Sequence, residues 1–280
     1  MSYHSGIVDT TEMYLRTVLE LEEEGIVPLR ARIGERLGQS GPTVSQTVAR
    51  MERDGLMRVA DDRQLELSDK GREDATAVMR KHRLAERLLA DVIGMDWEQL
   101  HIEACRWEHV MSEDAERRIL ALLAPPFVCP HGNPIPGLAD LGVADSDLAG
   151  PPNHGPGGLL TLTAAAARAA TVSVELISER LQSDAELMHR FVGSGLRPGT
   201  TLRVRRVADG VEVRPEGPAG VEDSAGVEGS AGAGGVDGTA GAEGTVGPAD
   251  ADGVWALFPA AVAAHVFVRV LDRPRDQRAA

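Results

Sequence analysis

A short break between two helical segments constrains the fold of this chain more than any other feature. Residues 28–37 and 42–54 carry apolar side chains at helical spacing, and residues 38–41, which include two glycines, separate them. Pro42 is compatible with the first turn of the second helix, where a backbone N–H is not needed. Two short helices joined by such a turn form a helix-turn-helix, whose second helix lies in the major groove of DNA. The segment therefore predicts a DNA-binding unit.

Flanking patterns extend this unit to residues 1–73. Residues 9–25 predict a helix, because Asp9 or Thr10 can cap its start, Glu12 can return the capping bond, and apolar residues follow at helical spacing. Residues 57–68 alternate apolar and polar side chains around an acidic turn, which is typical of a β-hairpin. Helix, helix-turn-helix and hairpin together predict a winged helix-turn-helix domain.

The net charge of −14 argues at first sight against DNA as a partner, because contacts to phosphate require a positive surface. The charge is unevenly distributed, however. Residues 28–58 contain six arginines and three acidic residues, whereas acidic residues are concentrated elsewhere, for example at 20–24. Since the local surface decides binding, the composition is compatible with a DNA-binding protein.

Length and cysteine content narrow the class of protein further. A chain of 280 residues, of which 42% are hydrophobic, suits two or three domains. Two cysteines cannot build a disulfide framework, and residues 1–16 do not resemble a secretion signal, which predicts a cytoplasmic protein. The longest apolar runs, 157–167 and 262–268, are too short to span a bilayer, so no membrane partner is expected.

Six potential metal ligands lie within sequence that predicts helices. They are His82, Glu86, His101, Cys105, Glu108 and His109. Steps of three and four residues place side chains on one face of a helix, so Cys105, Glu108 and His109 converge, and so do His82 and Glu86. Spacing alone is equally compatible with a solvated helix face, because surface helices often expose glutamate and histidine together.

The rest of the chain divides into a helical and a β-rich part. Residues 74–143 predict an all-α domain whose apolar content exceeds the need of one small bundle, which indicates a dimer interface. Residues 144–170 predict a linker. Residues 171–273 predict a small β-barrel, with strands at 171–177, 201–207, 211–214, 254–258 and 266–271 and a helix near 184–192. Within it, the Gly- and Ala-rich residues 216–253 predict a disordered loop.

Several segments closely resemble the diphtheria toxin repressor and iron-dependent regulator family. They are residues 9–16, 39–56, 79–87, 103–111 and 132–137, and the resemblance covers about residues 8–143. It implies an α+β multidomain fold: an N-terminal winged helix-turn-helix, an all-α dimerisation domain and a C-terminal SH3-like β-barrel. It also implies a dimeric transcriptional repressor that ferrous iron activates to bind palindromic operators of iron-homeostasis genes.

The resemblance implies two metal sites per subunit. The ligands of the primary site would be Met13, Cys105, Glu108 and His109, and those of the ancillary site would be His82, Glu86 and His101. In the family, a carboxylate and an amide from the third domain complete the ancillary site. Asp184 matches the position of the family's glutamate, but Leu187 replaces the glutamine. Two outcomes are therefore open: Asp184 or Glu186 completes the site, or the site is weaker than in the family.

The donor set narrows the metal but does not select one ion. A thioether and a thiolate beside imidazole and carboxylate suit late divalent ions, which favours Fe²⁺ over manganese. Co²⁺, Ni²⁺, Mn²⁺ or Zn²⁺ could substitute in vitro, and a manganese- or zinc-responsive repressor on the same scaffold is the alternative interpretation.

On DNA, the resemblance assigns two kinds of contact. Base edges in the major groove would be reached by Ser40, Pro42 and Gln46. Phosphates would be contacted by Thr10, Arg30, Thr43, Ser45, Arg50 and Arg53. Arg50 and Arg53 have a second interpretation, as surface charges paired with nearby acids.

Ordinary structural roles are the alternative for several other residues. Met13 by itself would be interpreted as a core methionine. Cys129 would be a buried thiol that shares no metal with His131, because Pro130 lies between them. Ordinary core or surface roles are expected for His4, His131, His154, His189 and His265. The chain contains no HExxH motif, nucleophile elbow or phosphate-binding loop, so we expect neither an enzyme nor a small-molecule substrate.

Overall fold

The computed structural model describes residues 9–148, 158–168, 170–216 and 255–271. The loop predicted to be disordered lies outside the described residues except for Glu216, and so does part of the predicted linker, residues 149–157. His4 and His154 also lie outside them.

The N-terminal unit contains the predicted elements in the predicted order. They are α1 (Thr10–Glu23), α2 (Arg30–Leu37), α3 (Gly41–Arg53), β1 (Met57–Val59) and β2 (Leu65–Leu67). Gly38 ends α2 in the left-handed conformation, with φ of 62°, which glycine adopts without strain. The three helices and the hairpin enclose one apolar core, in which Tyr14, Ile33 and Met51 are fully buried.

The start of α1 differs in detail from the prediction. Asp9 caps the helix as expected, because its carboxylate accepts hydrogen bonds from the N–H groups of Thr11 and Glu12 at 2.7 and 3.4 Å. The side chain of Glu12 does not return a capping bond. Its carboxylate lies 2.5 Å from Nδ1 of His109 instead, so a tertiary contact has replaced the local one.

A long helix connects the N-terminal unit to the helical unit. α4 (Asp69–Leu88) begins after Ser68, whose hydroxyl accepts the N–H of Gly71, and it continues into a π-helical turn at Leu89–Ile93. The predicted domain boundary after residue 73 therefore falls inside a continuous helix. Close packing explains Gly71, since a Cβ there would lie 1.8 Å from the carbonyl oxygen of Leu56.

The helical unit packs against α4. Its elements are a 3-10 turn (Trp97–Gln99), α5 (Leu100–Trp107), α6 (Glu113–Leu120) and a second 3-10 turn (Leu138–Leu141). Between α6 and the second 3-10 turn lies a proline-containing segment, residues 125–136, which contacts the C-terminal (third) unit. The backbone N–H of Ile177 donates to the carbonyl of His131, and Asn133 Nδ2 donates to the carbonyl of Ile177. A Cβ on Gly132 would lie 1.9 Å from the carbonyl oxygen of Glu175, so only glycine allows this approach.

The C-terminal unit is a six-stranded antiparallel sheet with the order β3-β8-β4-β5-β6-β7. Its strands are β3 (Leu160–Thr161), β4 (Thr171–Ile177), β5 (Thr201–Val207), β6 (Gly210–Pro215), β7 (Ala256–Phe258) and β8 (Val266–Val270). Four short helices accompany them: α7 (Leu162–Ala166), α8 (Glu179–Gln182), α9 (Ala185–Gly193) and α10 (Ala260–Ala263). β4 and β5 have the predicted bounds. In the part of the chain that the structure describes, no helix is long and apolar enough to cross a membrane.

Candidate metal centre and DNA-binding surface

Two antiparallel helices bring the candidate ligands together. α4 presents His82 and Glu86 one turn apart, and α5 presents His101 and Cys105 one turn apart. These pairs face each other across the contact between the two helices: Nε2 of His82 lies 3.0 Å from Nδ1 of His101, and Nε2 of His101 lies 3.5 Å from Sγ of Cys105. The sequence predicts the spacing within each helix, and the packing of the two helices brings the two pairs of side chains together.

His82 lies at the centre of the cluster. Its Nδ1 is 2.6 Å from Oε2 of Glu108, and its Nε2 is 3.2 Å from Oε1 of Glu86. Both carboxylates and the imidazole are fully buried. His82 therefore connects the residues predicted for the primary site with those predicted for the ancillary site, so the two sets are in direct contact.

α1 contributes a positive charge to the same cluster. Arg16 donates through Nη1 to both carboxylate oxygens of Glu108, at 2.7 and 2.5 Å, and through Nε to Glu20 at 2.8 Å. Burial by itself would raise the pKa of Glu108, but the nearby Arg16 and His82 lower it to about 2. Glu108 therefore carries a negative charge at every physiological pH.

The environment of Cys105 also favours the ionised form of its thiol. Burial would raise its pKa, but the charges of His101 and Arg16 hold the pKa well below the ordinary thiol value. Burial would likewise lower the pKa of His101, whereas the Cys105 thiolate and Glu86 raise it to about 9. The two groups thus favour each other's charged forms, and a thiolate is the form of cysteine that binds metal.

A second cluster was missed by sequence reasoning. Glu86, Cys129 and His131 are all buried, and their potential ligand atoms lie within 4.8 Å of one another. We expected Pro130 to prevent Cys129 and His131 from sharing a site, but the backbone turn at Gly132, with φ of 89°, brings both side chains to Glu86. The sequence signal was the Cys-Pro-His triplet itself, beside a run of prolines that holds the backbone in place.

The remaining predicted primary ligands lie around the His82 cluster. His109 is on the turn after α5, and Nε2 lies 3.3 Å from Oε1 of Glu108. Met13 is half-buried on α1. It precedes Arg16 by three residues, so the two share a face of the helix, and Arg16 contacts Glu108. The side of α1 that carries Met13 is therefore the side that approaches the cluster.

The structure does not bring Asp184 or Glu186 to the histidines. Both side chains are exposed, and the carboxylate of Asp184 accepts the N–H of Leu187 at 3.0 Å, which caps α9. The third unit instead turns Glu179 and Gln182 of α8 inward, both buried, and α8 packs against α5. A glutamate and a glutamine three residues apart are present, but five residues earlier than the sequence argument expected.

Unpaired buried polar atoms are concentrated in this region. In residues 9–148, 158–168, 170–216 and 255–271, seven buried side-chain nitrogen or oxygen atoms lack a hydrogen-bond partner. Three of them belong to the second cluster: Glu86 Oε2, His131 Nε2 and His131 Nδ1, which lies 3.3 Å from Glu86 Oε1 without making a hydrogen bond. Two others are His109 Nε2, 3.3 Å from Glu108, and Gln182 Oε1 on α8. Burying such groups without a partner costs free energy, so these atoms are suited to binding a ligand from outside the protein.

The predicted DNA-contacting residues lie on an open surface. Eight of the nine are exposed: Thr10, Ser40, Pro42, Thr43, Ser45, Gln46, Arg50 and Arg53. Arg30 is half-buried. Within the described part of the chain, Arg50 and Arg53 form no ion pair with Glu52, Asp54 or another acid, so the alternative of paired surface charges does not apply. α3 therefore presents polar and basic side chains that are available to a partner.

The helical unit also carries apolar side chains on its surface. Four large apolar side chains of the helical unit are more than half exposed: Val92, Ile93, Val110 and Leu122. His189 lies at the surface, 3.2 Å from Glu98, and His265 lies 3.2 Å from Glu24. Each of these two histidines therefore lies beside one acidic side chain.

Two family profiles match consecutive parts of the chain. The profile described as "Iron dependent repressor, N-terminal DNA binding domain" matches residues 6–65. The profile described as "Iron dependent repressor, metal binding and dimerisation domain" matches residues 68–137. Their boundary coincides with the end of the hairpin and the start of α4.

Individual relatives extend the similarity beyond these two parts. The iron-dependent repressor IdeR of Mycobacterium tuberculosis is 58% identical over 205 residues, which are 73% of this chain and 87% of the relative. The diphtheria toxin repressor of Corynebacterium diphtheriae is 54% identical over 198 residues, 71% of this chain and 85% of the relative. Among solved structures, one titled "Manganese-dependent transcriptional repressor complex with manganese" has a TM-score of 0.66 at 26% identity and covers 94% of this chain and 100% of its own.

Proposed function

The chain belongs to the iron-dependent repressor family, and from that premise we propose that it is a dimeric transcriptional repressor that Fe²⁺ activates to bind palindromic operators of iron-homeostasis genes. One observation carries the metal part of the proposal. Three of the seven unpaired buried polar atoms among the described residues belong to Glu86 and His131 of one cluster, and a fourth, Nε2 of His109, lies 3.3 Å from Glu108. A bound cation would give these atoms the partner that the protein itself does not supply.

The residues present fit two metal sites per subunit. The first would be held by Cys105, Glu108 and His109, with Met13 from α1. Its donors come from α5 and α1, so a metal there would tie the DNA-binding unit to the helical unit. This would fix the position of α1 and the spacing of the two recognition helices in a dimer. Metal would then favour the DNA-competent arrangement, and DNA would equally tighten metal binding.

The second site would be held by Glu86, Cys129 and His131, with His82 and His101 between the two centres. The resemblance leads us to expect a carboxylate and an amide from the third domain. Glu179 and Gln182 are better candidates for these than Asp184 and Glu186, because they are buried and Gln182 Oε1 has no hydrogen-bond partner. Glu179 is already paired with Arg83 at 2.9 Å, so Gln182 is the freer of the two.

The donor set supports iron over manganese. Two thiols, Cys105 and Cys129, lie among the imidazoles and carboxylates, and soft sulfur ligands suit late divalent ions better than Mn²⁺. A manganese- or zinc-responsive repressor on the same scaffold remains the alternative, and the choice in the cell depends on which ion is available to the protein.

DNA binding would use the exposed face of α3. Ser40, Pro42 and Gln46 lie at the start of this helix and would reach base edges, whereas Arg50 and Arg53 near its end would contact phosphates. Dimerisation through the exposed apolar residues of the helical unit would place two copies of α3 on half-sites about one helical turn, or a multiple of it, apart. The overall negative charge makes the operator complex strongly dependent on this local basic surface.

The third unit is proposed to be an SH3-like domain. Its antiparallel sheet of short strands supports this assignment, and the proline-containing segment 125–136 is attached to β4 through His131 and Asn133. A proline segment held by such a sheet would lock the third domain onto the metal-binding region, since His131 belongs to both contacts.

The proposal is tested by footprinting and gel shifts of genomic promoter DNA under anaerobic conditions, with Fe²⁺, Mn²⁺, Zn²⁺ or a chelator. We expect protection of a palindromic site with Fe²⁺ and none with chelator. Stimulation at cell-like free concentrations by Mn²⁺ or Zn²⁺ alone would support the alternative. Binding that a chelator does not affect would contradict metal control altogether.

Matched histidine variants sharpen this test. His109→Ala removes a proposed ligand, and His189→Ala removes an exposed histidine that is paired only with Glu98. Fe²⁺-stimulated DNA binding should be lost in His109→Ala and in Cys105→Ala and should be kept in His189→Ala. Stimulation near the wild-type level in the first two variants would refute the proposed primary site.

A further inference from the structure

The guanidinium of Arg16 lies among the donor atoms of the proposed primary site. Its Nη1 is 2.5 and 2.7 Å from the two carboxylate oxygens of Glu108, 3.6 Å from Sγ of Cys105 and 3.4 Å from Nδ1 of His82. The side chain of Arg16 is only 6% exposed, so water does not screen these contacts. One internal cation therefore contacts two of the four residues proposed to bind metal.

A divalent ion would need the same atoms. To bind Glu108 and Cys105 it would use the lone pairs that now accept from Arg16, and the two cations would lie within roughly 4 Å of each other in a buried place, where repulsion is strong. We propose that Arg16 is a displaceable internal cation, which holds Cys105 and Glu108 together and which a divalent ion must push aside in order to bind them. This inference rests on the proposed metal site.

The contacts of Arg16 give it a place to remain after displacement. Its Nε donates to Oε1 of Glu20 at 2.8 Å, and Oε2 of Glu20 lies 3.3 Å from Nη1 of Arg36 on α2. Arg36 in turn donates to Glu24 at 2.7 Å. Arg16 can therefore leave Glu108 without leaving Glu20, and the change in charge reaches α2, the helix that precedes the recognition helix.

A competing internal cation sets a threshold for the metal. The free energy of separating Arg16 from Glu108 is subtracted from that of binding the ion, so the site fills only at a higher metal concentration. The same contact keeps two buried anions from repelling each other, so the donors stay in place without an ion. Replacing Arg16 with a neutral residue should consequently strengthen metal binding and lower the stability of the metal-free protein. A merely structural role of Arg16 does not produce this combination.

The test measures Co²⁺ affinity and thermal stability of the full chain. Dissociation constants are obtained anaerobically by competition with a chelating dye, and cobalt–thiolate absorption reports binding through Cys105. Arg16→Gln should bind Co²⁺ about tenfold more tightly or better, while the midpoint of unfolding falls without metal and is close to that of the wild type with metal. Arg16→Lys keeps the charge and should stay within about threefold of the wild-type affinity.

A second variant is expected to act in the opposite direction. Glu20→Gln removes the other anion that holds Arg16, so the guanidinium should bind Glu108 more strongly and Co²⁺ affinity should fall about threefold to tenfold. Arg72→Gln is the matched control for Arg16→Gln, because it also removes a positive charge, from an exposed position where Arg72 pairs with Glu22. The Co²⁺ affinity of this variant should be unchanged.

Unchanged or weaker Co²⁺ binding in Arg16→Gln overturns the inference, as does unchanged or tighter binding in Glu20→Gln. If Arg16→Gln does not fold, Glu20→Gln decides alone. A result that overturns the inference about Arg16 does not contradict the proposed metal site, provided that the wild-type protein binds Co²⁺ with the thiolate absorption. A wild-type protein that does not bind Co²⁺ overturns the proposed function as well.

Discussion

Two groups of charged side chains lie buried next to each other in this molecule, and they differ in how completely they are paired. In the first, Arg83 is fully buried and donates to Glu179 at 2.9 Å, to Glu23 at 3.1 Å and to the carbonyl oxygen of Pro134. In the second, Glu86 and His131 are equally buried, but three of their polar atoms have no hydrogen-bond partner. Arg83, Glu86 and His131 are thus equally buried, but they differ in whether their polar atoms have hydrogen-bond partners.

This difference indicates two different roles. Arg83 joins α4, α1 and α8, so its ion pairs hold three parts of the chain together and need nothing from outside. Three atoms of Glu86 and His131 have been taken out of water without receiving a hydrogen bond, although Nδ1 of His131 lies 3.3 Å from Oε1 of Glu86. This is unfavourable unless a ligand supplies the missing partners. A fully paired network is expected to matter for folding, and a partly unpaired one for binding.

The largest expected effect is on the paired network. Arg83→Met should lower the free energy of unfolding by about 3–5 kcal/mol, because it leaves the buried Glu179 and the half-buried Glu23 without their common partner. Urea unfolding in the presence of a chelator measures this loss without a contribution from metal.

The control for this prediction is Arg72→Met, which breaks an exposed ion pair with Glu22. It should cost no more than about 1 kcal/mol. A loss of that size in Arg83→Met as well would show that the buried pairs contribute little, and the contrast between the two networks would then be without basis.

The next effect concerns the unpaired group. His131→Phe replaces a fully buried imidazole with a ring of similar shape, and the ring of Trp97, 4.7 Å away, can pack against either. In chelator, the variant should lie within about 1 kcal/mol of the wild type, because neither nitrogen of His131 makes a hydrogen bond, although Nδ1 lies 3.3 Å from Oε1 of Glu86. At a metal concentration about 100 times the dissociation constant, it should lose about 2.7 kcal/mol of metal-dependent stabilisation from the second site.

Calorimetric melts with and without Fe²⁺ or Co²⁺ measure this difference. A variant that melts far below the wild type in chelator and still gains the full stabilisation from metal would place His131 in the same structural class as Arg83. It would also remove the second metal site from the proposed function.

The recognition surface and much of the sheet could be predicted from sequence because their signals are local. The turn around Gly38 and the proline at position 42 defined α2 and α3 to within two residues, and β4 and β5 have the predicted bounds. Exposure of α3 follows from its polar face, and Gln46 and Arg50 are exposed on it. Each of these features depends on neighbours in the chain.

The buried clusters could be predicted only in part, because they depend on contacts between distant segments. Helical spacing indicates His82 and Cys105 as candidate metal ligands, but it does not show that Arg16, on another helix, contacts both. Beyond residue 143 the resemblance was too loose to fix the register, so Asp184 was chosen where the structure turns Glu179 inward. A shift of five residues changes which side of a short helical segment faces the core, and local patterns do not resolve it.

The smallest expected effect concerns a third group of charged side chains, at the place where the third unit meets the end of α1. Glu24 accepts from Ser178 at 2.6 Å and from Arg36 at 2.7 Å, and it lies 3.2 Å from Nδ1 of His265. Burial would raise the pKa of this carboxyl, but His265 and Arg36 hold it below 4.5, its ordinary value. A lowered pKa stabilises the fold above pH 4.5, and this contribution is lost as the pH falls through the folded-state pKa.

Glu24→Gln should therefore be less stable than the wild type by about 1 kcal/mol at pH 7, with the gap closing below pH 4.5. Urea unfolding from pH 7 to pH 3.5 measures the gap, and a gap that does not change with pH would mean that the charge of Glu24 contributes nothing to this contact.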